Sequence, residues 1–268
     1  GDRHREGTPS EPGRVKFGTM SGVFTPTLLT ILGVIMFLRE GWVVGQVGLV
    51  AAWAIILLAF VITGCTALSM SSVATNIRVG AGGAYSIISQ SLGIEIGGAI
   101  GIPLYLSQTL AVAMYVFGFR AGWTWIFPGH PALVVDLVTF AVVFVIAFIS
   151  AGLAFRVQYI ILAIILGSLG AVAWAAATGS MQHPVPWGPP EEGGALGFPS
   201  NFWVVFAVFF PAATGIMAGA NMSGDLKDPR KSIPLGTLSA IGISLVVYAV
   251  LAYWLARSAT VEELRNNY

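Results

Sequence analysis

Charge is absent from long stretches of this chain, and that pattern sets its elements. Gly41–Ile77, Ile96–Phe119, Val157–Pro190, Gly193–Gly224 and Ser232–Ala256 contain no Asp, Glu, Lys or Arg. About 20 mostly apolar residues suffice for a helix to cross a bilayer. These windows and the apolar runs beside them predict seven such helices: Thr19–Val44, Leu49–Thr75, Gly97–Phe119, Ala132–Ser150, Val157–Thr178, Asn201–Ala220 and Leu235–Ala256. The second, third, fifth and seventh lack the charged stripe that a soluble helix carries at a 3.6-residue period. Uninterrupted runs of this length also exclude the alternating strands of a membrane barrel.

Composition agrees. The 268 residues are 56% hydrophobic and 9% charged, with a mean hydropathy of +0.83. A water-soluble domain of this size could not cover its surface with so few charges. The net charge of +1 leaves no basic surface for nucleic acid. The lone cysteine, Cys65, excludes a disulfide framework. His4, His130 and His183 fall in the tail or loops, no nucleotide-binding motif is present, and no enzyme is expected.

Positive charge orients the chain. With the N-terminus inside, Arg3, Arg5, Arg14, Lys16, Arg78, Arg156, Lys227, Arg230 and Lys231 share one side, against Arg120, Arg257 and Arg265 on the other. The Pro/Gly-rich stretch Gly179–Ser200 then lies outside. Trp123, Trp125, Trp187 and Trp203 fall near the outer ends of spans, where an aromatic belt belongs. Asp136 is expected at a solvated helix start, Glu95 as a cap for the third helix, and Ser223–Ile233 as a solvated inner loop.

Two spans are poor helices. The first holds Val23-Phe24-Thr25-Pro26 and then Thr30 to Met36 around Gly33; the sixth holds Val208-Phe209-Phe210-Pro211 and then Thr214-Gly215-Ile216-Met217. Proline removes a backbone donor, and glycine tolerates unwound dihedrals. Irregular backbone at membrane depth must be buried in protein or line a wet cavity. Interrupted helices at corresponding places in two halves are the best sequence pointer to a transporter's binding site. Freed N–H groups there suit an anion, and freed carbonyls suit a cation. Arg39 is the one cation near a span interior, where charge is functional by default.

Leu32-Gly33-Val34-Ile35-Met36-Phe37-Leu38-Arg39 with Trp42-Val43-Val44-Gly45-Gln46, Ala67–Asn76, Gly82-Gly83-Ala84-Tyr85, Ala113-Met114-Tyr115 and above all Pro211–Leu226 resemble the cation–chloride cotransporters. These belong to the amino acid–polyamine–cation superfamily, and a prokaryotic-type member is expected. The resemblance implies an all-α, five-plus-five inverted-repeat fold with discontinuous helices 1 and 6. Residues 1–17 would be a cytosolic tail, 18–178 the first five-helix repeat and 179–200 an extracellular loop. Residues 201–256 would begin the second repeat, and 257–268 would be an extracellular segment. The chain is expected to be the N-terminal part of a longer protein.

The resemblance also implies residue roles. Potassium would meet Thr30, Ile31, Tyr115, Pro211 and Thr214. Chloride would meet the amides of Gly33, Val34 and Ile35, and a second chloride those of Gly215, Ile216 and Met217. Sodium is a further candidate through the carbonyls of Leu29 and Leu32. Arg39 would be a gate. Thr30 stands where the family usually has Asn, and Ala121 where it usually has the Glu that faces Arg39. The implied function is cation-coupled chloride symport by alternating access, with no cofactor, in the plasma membrane, the longer protein forming a homodimer. An amino-acid permease on the same fold and a non-transporting regulatory subunit are the alternatives.

Overall fold

A computed structural model describes residues 16–76, 82–149, 151–188 and 201–266. Arg3, Arg5, Arg14, Arg78, Ser150, Glu191 and Glu192 lie outside the described residues. Ten α-helices are described: α1 (Thr25–Ile31), α2 (Val34–Asn76), α3 (Gly83–Leu92), α4 (Ile94–Ile126), α5 (Ala132–Ile149), α6 (Ala151–Ala177), α7 (Phe202–Phe209), α8 (Met217–Asn221), α9 (Pro229–Ser258) and α10 (Val261–Asn266). Six helical stretches are long and apolar enough to cross a membrane: Met20–Asn76, Ile94–Ile126, Ala132–Ile149, Arg156–Ala177, Phe202–Asn221 and Pro229–Ser258.

The first stretch covers two predicted spans. Its 57 residues would reach about 85 Å as one straight helix, against a hydrocarbon core of about 30 Å. The backbone instead leaves helical geometry at Gly48 (φ 76°, ψ 168°), a region open essentially to glycine. Beyond the turn, the N–H groups of Leu49 and Val50 lack carbonyls one turn back. Pro186 O (2.8 Å) and Trp187 O (3.4 Å) receive them, so the loop after α6 caps the second half.

The prolines do not make the breaks in the first and sixth spans. Pro26 sits in the first turn of α1, behind a π-helical turn at Met20–Phe24, and Pro211 sits in the first turn of a 3₁₀ segment, Phe210–Ala213. A first turn needs no N–H from proline. The chain leaves helical geometry later, at Leu32 (ψ 45°) and Gly33 in one span, and at Thr214 (ψ −178°) and Gly215 (φ 93°) in the other.

The core is a bundle of α1, the two halves of α2, α7 with its 3₁₀ extension, and α9. Alanines on both sides of the α2–α9 contact, Ala52 and Ala59 against Ala240, Ala252 and Ala256, are fully buried. Small residues let membrane helices approach closely. The spans in α4, α5 and α6 bury only 6% of their apolar windows, against 56% for the first stretch. Their large apolar side chains face outward, as lipid requires.

Three local expectations change. Asp136 does not stand in solvent at a helix start: it pairs with Arg120 (2.6 Å), and the Arg120 guanidinium also lies 4.9 Å over the Phe117 ring. Glu95 makes no capping bond; it sits in the first turn of α4, where a negative charge complements the helix dipole. The loop 223–233 is only half solvated. Lys227, Asp228, Arg230 and Lys231 are exposed, but Ser223, Leu226, Ser232 and Ile233 are buried. Phe17 N–H donates to Asp225 O (2.7 Å) and Lys227 N–H to Phe17 O (2.9 Å), strapping this loop beneath α1.

Residues 260–263 form a capping box that Thr260-x-x-Glu263 announces. The Thr260 N–H and hydroxyl both donate to one Glu263 oxygen at 2.8 Å, and the Glu263 N–H returns to the hydroxyl at 3.3 Å. The Thr260 N–H, then its hydroxyl, hold the Glu263 carboxyl below its ordinary 4.5. A depressed pKa stabilises the fold above the ordinary value, and that contribution fades as pH falls through the lowered one. Amide exchange in α10 is therefore expected to accelerate, beyond its intrinsic pH dependence, below about pH 4.5. A Glu263→Gln variant should lose the dependence; equal profiles would contradict the box.

Candidate ion site

The two breaks meet each other. A Cβ built on Gly215 would overlap the Cγ2 of Thr30, and one on Gly33 would come 3.5 Å from Cε1 of Tyr115. So Thr30 at the end of α1 rests on the broken backbone before α8, and α4 brings Tyr115 against the first break. Their junction opens into a cavity of about 320 Å³. Thr30, Tyr115, Thr214, Gly215, Ile216 and Met217 line it together with Thr63, Thr66, Ser107 and Gln108. Among the described residues, no Asp, Glu, Lys, Arg or His does.

The threonine hydroxyls around the cavity have spent their protons. Thr30 donates to Pro26 O (2.7 Å), Thr63 to Ala59 O (2.9 Å), Thr66 to Ile62 O (3.0 Å) and Thr214 to Pro211 O (2.6 Å). A hydroxyl has one donor and two acceptor lone pairs. With the donor turned back along its helix, what remains for the cavity is acceptor oxygen. That favours a cation and does nothing for an anion.

The anion-favouring groups lie on the other side of each break. The first N–H groups of a helix have no carbonyl one turn back and carry partial positive charge. At the start of α2 these are near Gly33, Val34 and Ile35, where the Met36 N–H already bonds Gly33 O (3.2 Å). At α8 the Ala218 N–H bonds Gly215 O (3.1 Å), leaving the N–H groups of Gly215, Ile216 and Met217 as the first of that short helix. Each break thus presents a spent carbonyl end and a fresh amide end within one loop.

The other expected residues stand apart from the cavity lining. The Ile31 carbonyl accepts from the Tyr248 hydroxyl of α9 (2.8 Å). Pro211 O accepts both from the Thr214 hydroxyl and from its N–H (3.2 Å). Leu29 and Leu32 also do not line it. Leu32 is buried in the core, and its N–H closes α1 on Leu28 O (2.8 Å). Arg39 is half-buried on α2, two turns past the first break. On α4, Ala121 offers no carboxylate, and its neighbour Arg120 holds Asp136.

Sequence reading missed two groups of residues. Thr63 and Thr66 stand one turn apart on α2 and Ser107 and Gln108 side by side on α4, and their only signal was polarity within an apolar run. Tyr248 had none, because α9 carries no interruption to mark it. Its ring is clamped by Phe60 (centroids 5.6 Å) and Phe209 (5.5 Å) while its hydroxyl holds Ile31. Tyr248→Phe keeps the ring and leaves that carbonyl unmet. Unfolding should become easier by about 1–3 kcal/mol; an unchanged unfolding midpoint would mean the bond contributes nothing.

A family model for amino acid permeases matches residues 22–259. The chain is 39% identical over 269 residues to solute carrier family 12 member 2 of Homo sapiens, covering 91% of this chain and 22% of that protein. With solute carrier family 12 member 1 of Oryctolagus cuniculus it shares 38% over 272 residues, 94% of this chain and 25% of that one. With solute carrier family 12 member 8 of Mus musculus it shares 34% over 270 residues, 95% of this chain and 37% of that one. The chain therefore spans between about a fifth and a little over a third of these relatives' length. These relatives bear out the likeness read from the motifs around Gly33 and Gly215. Membrane-spanning helices, two apposed helix breaks over an uncharged polar cavity, and a match across nearly its whole length place the chain in the amino acid permease family.

Proposed function

We propose that this chain forms the ion-binding part of a cation-coupled chloride symporter. The observation that carries the reading is the uncharged polar cavity at the paired breaks, where four threonine hydroxyls present acceptor oxygen beside helix-start amides. A potassium ion would sit among Thr30, Tyr115 and Thr214. The Ile31 and Pro211 carbonyls would join once Tyr248 and Thr214 release them in another state of the cycle. One chloride would take the amides of Gly33, Val34 and Ile35, and a second those of Gly215, Ile216 and Met217. Neutral ligands hold ions firmly enough to select them and loosely enough to let them go. Sodium, through the Leu29 and Leu32 carbonyls, and a gating role for Arg39 rest on the family resemblance. So do the plasma membrane, a cytoplasmic N-terminus, the inverted repeat and a homodimer of the longer protein.

Tracer flux in proteoliposomes tests this. Rubidium uptake should depend on external chloride and fall away when an impermeant anion replaces it. Uptake indifferent to chloride would overturn the coupling, and stimulation by an amino acid would favour a carboxylate at the first-break amides instead. Tyr115→Phe should raise the half-saturating cation concentration about tenfold, or ~1.4 kcal/mol, and leave that of chloride in place. Unchanged cation dependence would remove Tyr115 from the site.

A further inference from the structure

One titratable group in the bundle core belongs to none of this. Glu40 lies on α2 and is 0% exposed. It faces the backbone of Ala252 on α9, and no side chain among the described residues bonds either carboxylate oxygen. Met36, Val43 and Val44 on its own helix and Ala252 and Ala256 on α9 are all buried. The turn at Gly48, where the backbone of α2 breaks, is about 12 Å away along the helix axis. An ionised carboxylate buried without a partner costs more than its contacts return.

The charged and titratable groups near it are committed elsewhere. Arg39 precedes it in sequence, about 100° around the helix, and makes no hydrogen bond to it. On α9 the Tyr248 hydroxyl donates to Ile31 O, and the Arg257 Nη2 donates to Met181 O. On α10, Arg265 donates to Gly45 O and Glu263 holds Thr260. The packed faces of α7 and of the Phe210–Ala213 turn carry no charge. Neither does the stretch of α6 near Met36 and Gly41, which presents Ser168, Leu169 and Val172.

We propose that Glu40 is a proton-binding site within the membrane, loaded in the packing described here and discharged only when the α2–α9 seam parts. The seam is not an idle one. Tyr248, one turn before Ala252 on α9, ties down the carbonyl at the first helix break. Parting α9 from α2 wets the Glu40 carboxyl and disturbs the strut on Ile31 together. The closed packing carries the proton, so raising the pH favours the parted one.

This site rests on the membrane placement of α2 and not on which ions are transported. Infrared difference spectra of the protein in lipid should show a protonated-carboxyl band at neutral pH. The band should shift on deuteration and be missing from Glu40→Gln. Absence of the band in the parent protein overturns the proposal. Should the glutamine variant not fold, Glu40→Asp should move the band, and an unmoved band overturns the assignment. In a Cys65→Ser background, thiol labelling of Ala252→Cys, corrected for thiolate content, should accelerate roughly tenfold between pH 6 and pH 9. Adding Glu40→Gln should flatten that rise; equal profiles overturn the coupling to the seam. Chloride-independent flux with the band intact would sink the symport reading and leave the proton site standing.

Discussion

Gly215→Ala is expected to abolish transport and destabilise the protein. Gly215 has φ 93°, and an L-residue in the left-handed region costs about 1–2 kcal/mol. The added methyl would also overlap Thr30 at the very contact that brings the two breaks together. Overfilling a packed site costs roughly another 1–3 kcal/mol. The two causes can be separated. Thr30→Ser deletes the Cγ2 that the new methyl meets and keeps the hydroxyl that bonds Pro26 O. The double variant should recover the part due to the clash and keep the part due to φ. Thermal unfolding in detergent and rubidium flux would read both. A Gly215→Ala protein with normal flux would show that the breaks need not touch.

Gly48→Ala should be nearly as damaging, for a reason remote from the ions. With φ 76° and ψ 168° the position lies where L-residues cost about 1–3 kcal/mol. A Cβ there would run into the carbonyl of Gly188 and come within 3.1 Å of Pro186 O. Both are backbone atoms that cannot swing aside as a side chain would. Relief would have to come from moving the loop, which would forfeit the Leu49 N–H bond to Pro186 O at 2.8 Å. The expected result is a lower unfolding midpoint and faster proteolysis of the 181–188 segment. A variant as stable as the parent would show that the chain does not turn at Gly48 as described.

Much of this was legible in the chain. Apolar runs with little or no charge located every membrane-length stretch, and the Gly33 and Gly215 neighbourhoods stood out because glycine and proline have no ordinary place in mid-span. What misled was the weight given to proline. Pro26 and Pro211 sit where one helical type passes into another, and the breaks fall where glycine relaxes the backbone several residues later. Asp136 misled differently: its partner Arg120 lies 16 residues away, at a spacing no helical rule connects. Glu40 is visible in the sequence as a charge within a predicted span, but nothing in the chain says which helix it faces.

Hydrophobicity along one dimension therefore determined that the chain is a membrane protein, where its apolar stretches run and where the helices fail. Lipid leaves little choice there, since each backbone polar group must be met within its own helix or by a local exception. Tertiary structure decided the rest. It set Thr30 against Gly215 and turned four threonine hydroxyls backward so that acceptor oxygen faces the cavity. It also placed Tyr248 on Ile31 and buried Glu40 with no side-chain partner among the described residues. Each of these depends on which face of one helix meets which face of another. In a span that is apolar all round, the sequence carries no stripe to announce that face.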